Sequence, residues 1–546
     1  MRRRGRIWLA VAAASMFALA GVQPVPAAED DREITPHVTA AVQVSTNPDP
    51  ARGHSTPLIS RNPKTGVLVI ADCEARSKKT VDVYRSLDDG RSWAPGGSPM
   101  TKPWTDACGN PDSNIDHTIV HDKDGVMYLA FQASDPKFFM LPDPDRPVHV
   151  FLAKSMDDGL TFETVKVHDA PEAPEADRGL KRNYRPWVAV DPVNTQFVYV
   201  SWMQWHVNDE PVSSGNKALI AASSDGGRTF AKPFSLREGD PQGSYEGRPA
   251  VDSKGVVHVT FAGRGRVAPL PPGTPPPDPA PLPPIRTVLY RSSADHGQTW
   301  TDAKQIEEGN SGFGHNRKWG LRADPNSDNL YAVWYGNPNP RAAVPADDRD
   351  VYLRVSRDSG RTWEDRVVVN DDSATPNDQN MHPNLSVAPN GRLDIVWMDT
   401  RNSPIPPGTN INGVVYVGHQ DVYYTYSLDG GRTFAPNIKI TDRIIDRRFG
   451  IWQGNADIHG PTGIISTDDT VYFTWQDSRN GHGIGSSDDT YFASLRLYGP
   501  SLATGTAAAD DDDGVPGPIL IGAGLAIGMG VAMVVVSLVS RRSREA

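Results

Sequence analysis

The sequence predicts an all-β fold, a seven-bladed β-propeller, and three observations carry that expectation. An eight-residue pattern, S-x-D-x-G-x-[TS]-[WF], occurs six times: SLDDGRSW from Ser86, SMDDGLTF from Ser155, SSDGGRTF from Ser223, SADHGQTW from Ser293, SRDSGRTW from Ser356 and SLDGGRTF from Ser427. Successive copies lie 63–71 residues apart, the regular spacing of a repeat architecture. Seven apolar, β-branched runs of strand length alternate with the copies: GVLVIADC, GVMYLAF, FVYVSW, GVVHVTF, NLYAVW, GRLDIVW and TVYFTW.

Each unit reads as four strands. One opens the unit, as in PWVAVD; the apolar run follows; a third precedes the eight-residue pattern, as in VDVYRS; a fourth follows it, as in ETVKVHD. Four antiparallel strands in about 68 residues make a propeller blade. Within the pattern, the Asp carboxylate can accept bonds from its own turn and Gly can take positive φ. The closing Trp or Phe is placed to bury apolar area beside the next unit. The seventh unit, 460–498, has three strands and lacks the pattern. HVTAAVQVS, residues 37–45, resembles the strands after the pattern and is expected to complete it, closing the ring without a free sheet edge. A six-bladed ring is the alternative count. A Pro-rich stretch, 268–286, reads as a semi-rigid loop inside blade four.

The ends read as targeting and anchoring segments. Residues 1–28 have a basic start, a short apolar run and small residues before Glu29, a signal-peptide pattern. The propeller then spans 29–500. Residues 501–518 read as a flexible stalk, 519–540 as an uncharged transmembrane helix and 541–546, with Arg541, Arg542 and Arg544, as a cytoplasmic tail. The expected location is the cell membrane, single-pass, with the propeller extracellular. The two cysteines, Cys73 and Cys108, are a plausible disulfide in an exported chain. Net charge is −11 and no basic stripe is present, which argues against nucleic acid as a partner. A monomer is expected.

The six patterns resemble the Asp-box, or BNR, repeats of the sialidase superfamily over the whole extracellular part. The resemblance implies a site at the axial end formed by the starts of innermost strands and the loops after second strands. There, sialidases combine a Tyr nucleophile with a Glu partner, an Asp acid/base and three arginines that clamp the sugar carboxylate. On this sequence Asp82 is placed as the acid/base, Glu246 as the Glu partner, and Arg76, Arg264 and Arg349 as substrate-binding groups. His382 falls where the Tyr nucleophile is expected. Ser55-Thr56-Pro57 stands where the family has Arg-Ile-Pro, and the family usually has six blades, so the chain looks diverged from standard sialidases. The implied function is a sialidase-like glycoside hydrolase, diverged in substrate, acting on a glycan or glycoconjugate and needing no cofactor. The alternative is a non-catalytic propeller that binds glycans or proteins.

Two other constellations stand out. [DE]-x-R recurs as Glu74-Ala75-Arg76, Asp399-Thr400-Arg401 and Asp477-Ser478-Arg479, either ringing a pocket or stapling a loop as ion pairs. His54, His117, His382 and His459 lie at or before first strands on one arc and are a candidate metal cluster; Arg185, Glu246, Arg317 and Lys318 oppose them.

Overall fold

The computed structural model describes residues 36–497, apart from position 51 and segments 76–79, 101–116, 135–146, 170–180, 207–216, 238–243, 265–285, 308–318, 337–348, 373–378, 412–413, 416–417, 451–461 and 482–486. The expected leader, stalk, span and tail lie outside these residues, as do Arg76, Cys108, Arg317, Lys318, His459 and nearly all of the Pro-rich stretch. Among the described residues no helix is long and apolar enough to cross a membrane.

Seven antiparallel blade sheets follow one another in chain order, with a two-stranded ribbon, Asn410–Ile411 and Val414–Val415, between the second and third strands of blade six. Six are four-stranded: in blade one the strands are His54–Arg61, Leu68–Glu74, Thr80–Ser86 and Ala94–Pro95, and blades two to six repeat the plan. Blade seven has Gly463–Ser466, Thr470–Asp477 and Asp489–Leu497 from the end of the propeller. Its outer edge is made by Pro36–Val38 and Val42–Gln43, paired antiparallel to Asp489–Leu497. The expected closure by residues 37–45 is therefore present, and the count is seven.

Both faces of each blade are buried. Seven apolar clusters fill the seven gaps between consecutive blades. In blade one, Val69, Ala71 and Cys73 face blade two, while Leu68 and Ile70 face blade seven. That two-sided burial explains the near-continuous apolar runs, where one-sided sheets show alternation. The gap between blades seven and one holds Val44, Ile59, Tyr84, Tyr472 and Phe492, so the N-terminal segment contributes to the core as well as to the edge.

The six repeated turns share one hydrogen-bond scheme. In the first, Ser86 Oγ donates to Asp88 Oδ1 at 2.8 Å and accepts from the Gly90 amide at 2.8 Å; Asp88 also accepts from the Ser92 amide and hydroxyl at 2.9 and 2.6 Å. The last repeats this with Ser427, Asp429, Gly431 and Thr433. Gly90 has φ +89°, and a Cβ there would lie 2.1 Å from Phe492 of blade seven. The aromatic that closes the turn, Trp93, meets the same Phe492 edge-on at 5.1 Å. Gly360 and Trp363 sit likewise against Tyr290 of blade four. Each turn thus seats on the preceding blade, not on the next one as expected, because the twist of the sheet carries its outer corner back across the interface.

Two outcomes follow for stability. Val44→Asp puts an unpaired charge into the closing interface and should cost about 3 kcal/mol or more in urea unfolding. Hydroxyl donation from Ser92 and Thr299 holds Asp88 and Asp295 down at about 2. Their contribution is complete above the unfolded carboxylate value of about 4 and is lost as pH falls toward 2, so melts at pH 5 and pH 2.5 should show the drop.

Candidate functional site

Strand direction alternates within a blade, so the repeated turns lie at one axial end. The starts of the first strands and the loops after the second strands lie at the other, and the candidate residues gather there. A common landmark orders them. In every blade, the residue just after the first strand donates its amide across the first turn: Asn62, Asp122, Asp191, Asp252, Asp324, Ala388 and Thr467. Six residues before it stand Thr56, Arg185, Glu246 and His382 in blades one, three, four and six; the counterparts in the other three blades lie outside the described residues. All four have left-handed backbones, with φ of +52°, +56°, +32° and +53°. Each coincides with a break in register against the second strand. A bulge with a left-handed non-glycine residue costs of order 1–3 kcal/mol and re-aims the side chain, and such residues gather at functional sites.

Glu246 and Arg185 are ion-paired, and Arg248 reaches the other Glu246 oxygen at 2.9 Å. All three are buried, and the Arg248 guanidinium lies 3.4 Å from the Trp187 ring centroid. His382 is buried with its ring 5.5 Å from that of Tyr335, which comes from the second strand of blade five. Arg349 joins this group. Its guanidinium is 5.9 Å from the Tyr335 ring, and Nη1 contacts Met381 Sδ at 3.4 Å. Arg264 ends the second strand of blade four, paired through its backbone with Arg286.

Asp82 is half-buried in the third strand of blade one, directly opposite Asp72. Like charges directly opposed across strands are unfavourable. His54 answers them: its Nδ1 lies 3.0 Å from Asp72 Oδ2, and Thr490 of blade seven donates to the same oxygen at 2.5 Å. Burial alone pushes the His54 imidazole down. The charge and hydrogen bond of Asp72, with Asp82 and Asp489 beyond, outweigh it and leave His54 above its ordinary 6.5. Among the described residues, His54, Asp72 and Asp82 are the one His–carboxylate group whose ligand atoms lie within 4.8 Å of one another. His117 and His382 do not join it: His117 Nε2 donates to the Ala71 carbonyl at 2.7 Å, and His382 lies against Tyr335. Glu74 accepts from the Gly53 amide at 2.8 Å. Cys73 is disulfide-bonded.

The Asp-x-Arg pairs of blades six and seven are staples. Arg401 donates to Asp399 and to Asp371, and Arg479 donates to Asp477 and to Asp442. The indoles of Trp397 and Trp475 donate to the same Asp399 and Asp477 carboxylates at 3.0 Å. Burial pushes Asp399 up to about 6 against the bonds from Arg401.

Sequence reasoning missed Asp72 and Tyr335. A charge inside the apolar run GVLVIADC was the available signal for Asp72. Nothing in the sequence sets Tyr335 beside His382, since the contact is made across two blades.

No protein-family model matches the chain, and no curated protein matches it. Solved structures do. A protein of unknown function from Dyadobacter fermentans is 12% identical, covering 85% of this chain and 99% of its own, with a TM-score of 0.43. An α-L-arabinanase from Penicillium chrysogenum complexed with arabinobiose is 12% identical over 84% of this chain and 99% of its own, with a TM-score of 0.42. The Hadza microbial sialidase Hz136 is 15% identical over 78% and 75%, with a TM-score of 0.42.

The raised His54 pKa has a measurable sign. Its contribution to stability is complete below 6.5 and is lost as pH rises through the folded value. The difference in Tm between wild type and His54→Gln should therefore be largest near pH 5.5 and shrink above neutrality.

Proposed function

We propose that the chain is a glycoside hydrolase of the Asp-box propeller class, diverged from sialidases, and held outside the membrane by its C-terminal segment. The carrying observation is the half-buried Asp82 carboxyl opposed to buried Asp72, with His54 against Asp72, at the end of the propeller where the first strands begin. An acid/base residue needs a carboxyl placed to give a proton to the leaving oxygen and take one back from water, and Asp82 is a half-buried carboxyl at that end of the propeller. The six turns with one hydrogen-bond scheme support the class, and the apolar run 519–540 followed by arginines supports the anchor.

Asp82 gives its proton to the glycosidic oxygen as the C–O bond breaks. The Tyr335 phenol oxygen takes up the anomeric carbon while its proton passes to His382, the role of the Tyr nucleophile moving to a tyrosine from the neighbouring blade. Water then attacks, Asp82 takes the water proton, and the phenol leaves and recovers its own proton from His382. Arg349, beside Tyr335, is the group for an anionic substituent. Glu246, held by Arg185 and Arg248, is better suited to fixing those arginines than to removing a proton. The same ion-paired Glu246 favours the second reading, a glycan-binding propeller without turnover.

The two readings separate on the full-length chain in detergent, assayed against a panel of 4-methylumbelliferyl glycosides that includes a sialoside. A hydrolase turns over at least one member. Asp82→Asn and Tyr335→Phe each then lower kcat by about 100-fold or more with Tm unchanged. Glycan binding with no turnover across the panel would identify the binding propeller and refute the hydrolase.

A further inference from the structure

The propeller axis holds a second site. Two residues before the landmark of each blade stand Ser60, Val120, Ala189, Ala250, Ser386 and Ile465, and in blade five Arg322. These seven positions form one layer of a cavity of about 300 Å³ enclosed by all seven first strands. The layer is small and apolar except for two hydroxyls and one guanidinium. Among the described residues of the lining there is no Asp or Glu, while three basic side chains are present: Arg322, Arg61 and His121.

Two of the three are committed elsewhere. His121 Nδ1 is 2.8 Å from Ser60 Oγ, and its Nε2 lies 3.5 Å from Asp158 of the turn below. Arg61 also faces the outer pocket beside Asp88, Asp89, Asp468 and Asp469. Arg322 has one hydrogen bond, from Nη1 to the carbonyl of its neighbour Leu321 at 2.9 Å, and no carboxylate partner among the described residues. It is half-buried among the seven first strands, and the loss of hydration there pushes the guanidinium down to about 10, with no carboxylate opposing the shift. A cation stripped of part of its hydration is stabilised where it is paired and hydrogen-bonded. A guanidinium presents paired N–H donors to an oxyanion, and the Ser60 and Ser386 hydroxyls stand in the same layer.

We propose that the axial cavity binds a small inorganic oxyanion, of the phosphate or sulfate class, on Arg322. The anion neutralises the lone guanidinium and ties together first strands that otherwise touch only their immediate neighbours. The site lies deeper along the axis than Asp82 and Tyr335, below the strand starts that carry the hydrolase reading, and it does not depend on that reading.

The test is thermal unfolding and isothermal titration calorimetry of the full-length chain in detergent, with sulfate or phosphate titrated at constant ionic strength set by sodium chloride. Wild type should bind about one oxyanion and gain Tm as its concentration rises. Arg322→Met, similar in length and uncharged, should lose the titratable heat and the Tm dependence. Arg322→Lys, which keeps the charge and loses the paired donors, should bind at least tenfold more weakly, and it serves if the methionine variant does not fold. Absence of binding to wild type would overturn the proposal and leave Arg322 solvated by channel water, as would equal Tm dependence in wild type and either variant. Loss of Tm dependence on oxyanion together with a strong response to chloride alone would assign a halide site and refute the oxyanion.

Discussion

The structure rests on one constraint: each blade has two apolar faces, and neither is tolerable in water. A sheet with one buried face can end wherever a polar face begins. A sheet buried on both sides requires a neighbour on each side, and seven such sheets satisfy one another only as a ring. The ring then needs a seam, and the seam is covalently remote. Pro36 pairs with Leu497, and Val44 fills the gap between the last blade and the first. Everything at the axial mouth and in the axial cavity presupposes that closure, because those sites are assembled from first strands that have no sheet contact with one another.

The repeated turn is the visible trace of the same constraint. Its Ser, Asp and Gly form a local hydrogen-bond unit that needs nothing from the rest of the chain. Its aromatic and the absent Cβ of its Gly fit the surface of the preceding blade. One short motif thus carries both the hairpin and the inter-blade contact, and for that reason the fold could be read so far in advance. The period was legible because each copy is self-contained. The missing fourth strand of blade seven was legible because the N-terminal stretch carries the alternation of its six counterparts. The direction in which the turns seat was not, since it depends on sheet twist, which no residue encodes singly.

The site was legible only in pieces. Asp82, Glu246, His382 and Arg349 could be singled out by their position relative to turns. Their surroundings could not, because contacts such as Arg185 with Glu246 and Tyr335 with His382 cross from blade to blade. The [DE]-x-R triplets were visible as a pattern open to two meanings, and the Trp-to-Asp bonds beside them decide for the staple in blades six and seven. The described histidines, in blades one, two and six, turn to different partners, since they stand at three different distances from the first turn of their blades. The left-handed backbones at the mouth had no signal at all, as none of the four residues is glycine.

Those four residues have a consequence of their own. Thr, Arg, Glu and His share no side-chain chemistry, yet each holds nearly the same backbone conformation at the same place in its blade. The conformation therefore belongs to the strand and not to the residue. A position of this kind works as a socket for the backbone, although the buried, ion-paired Arg185 and Glu246 can be exchanged only together. Propellers built this way can change what the mouth presents while the ring around it stays the same.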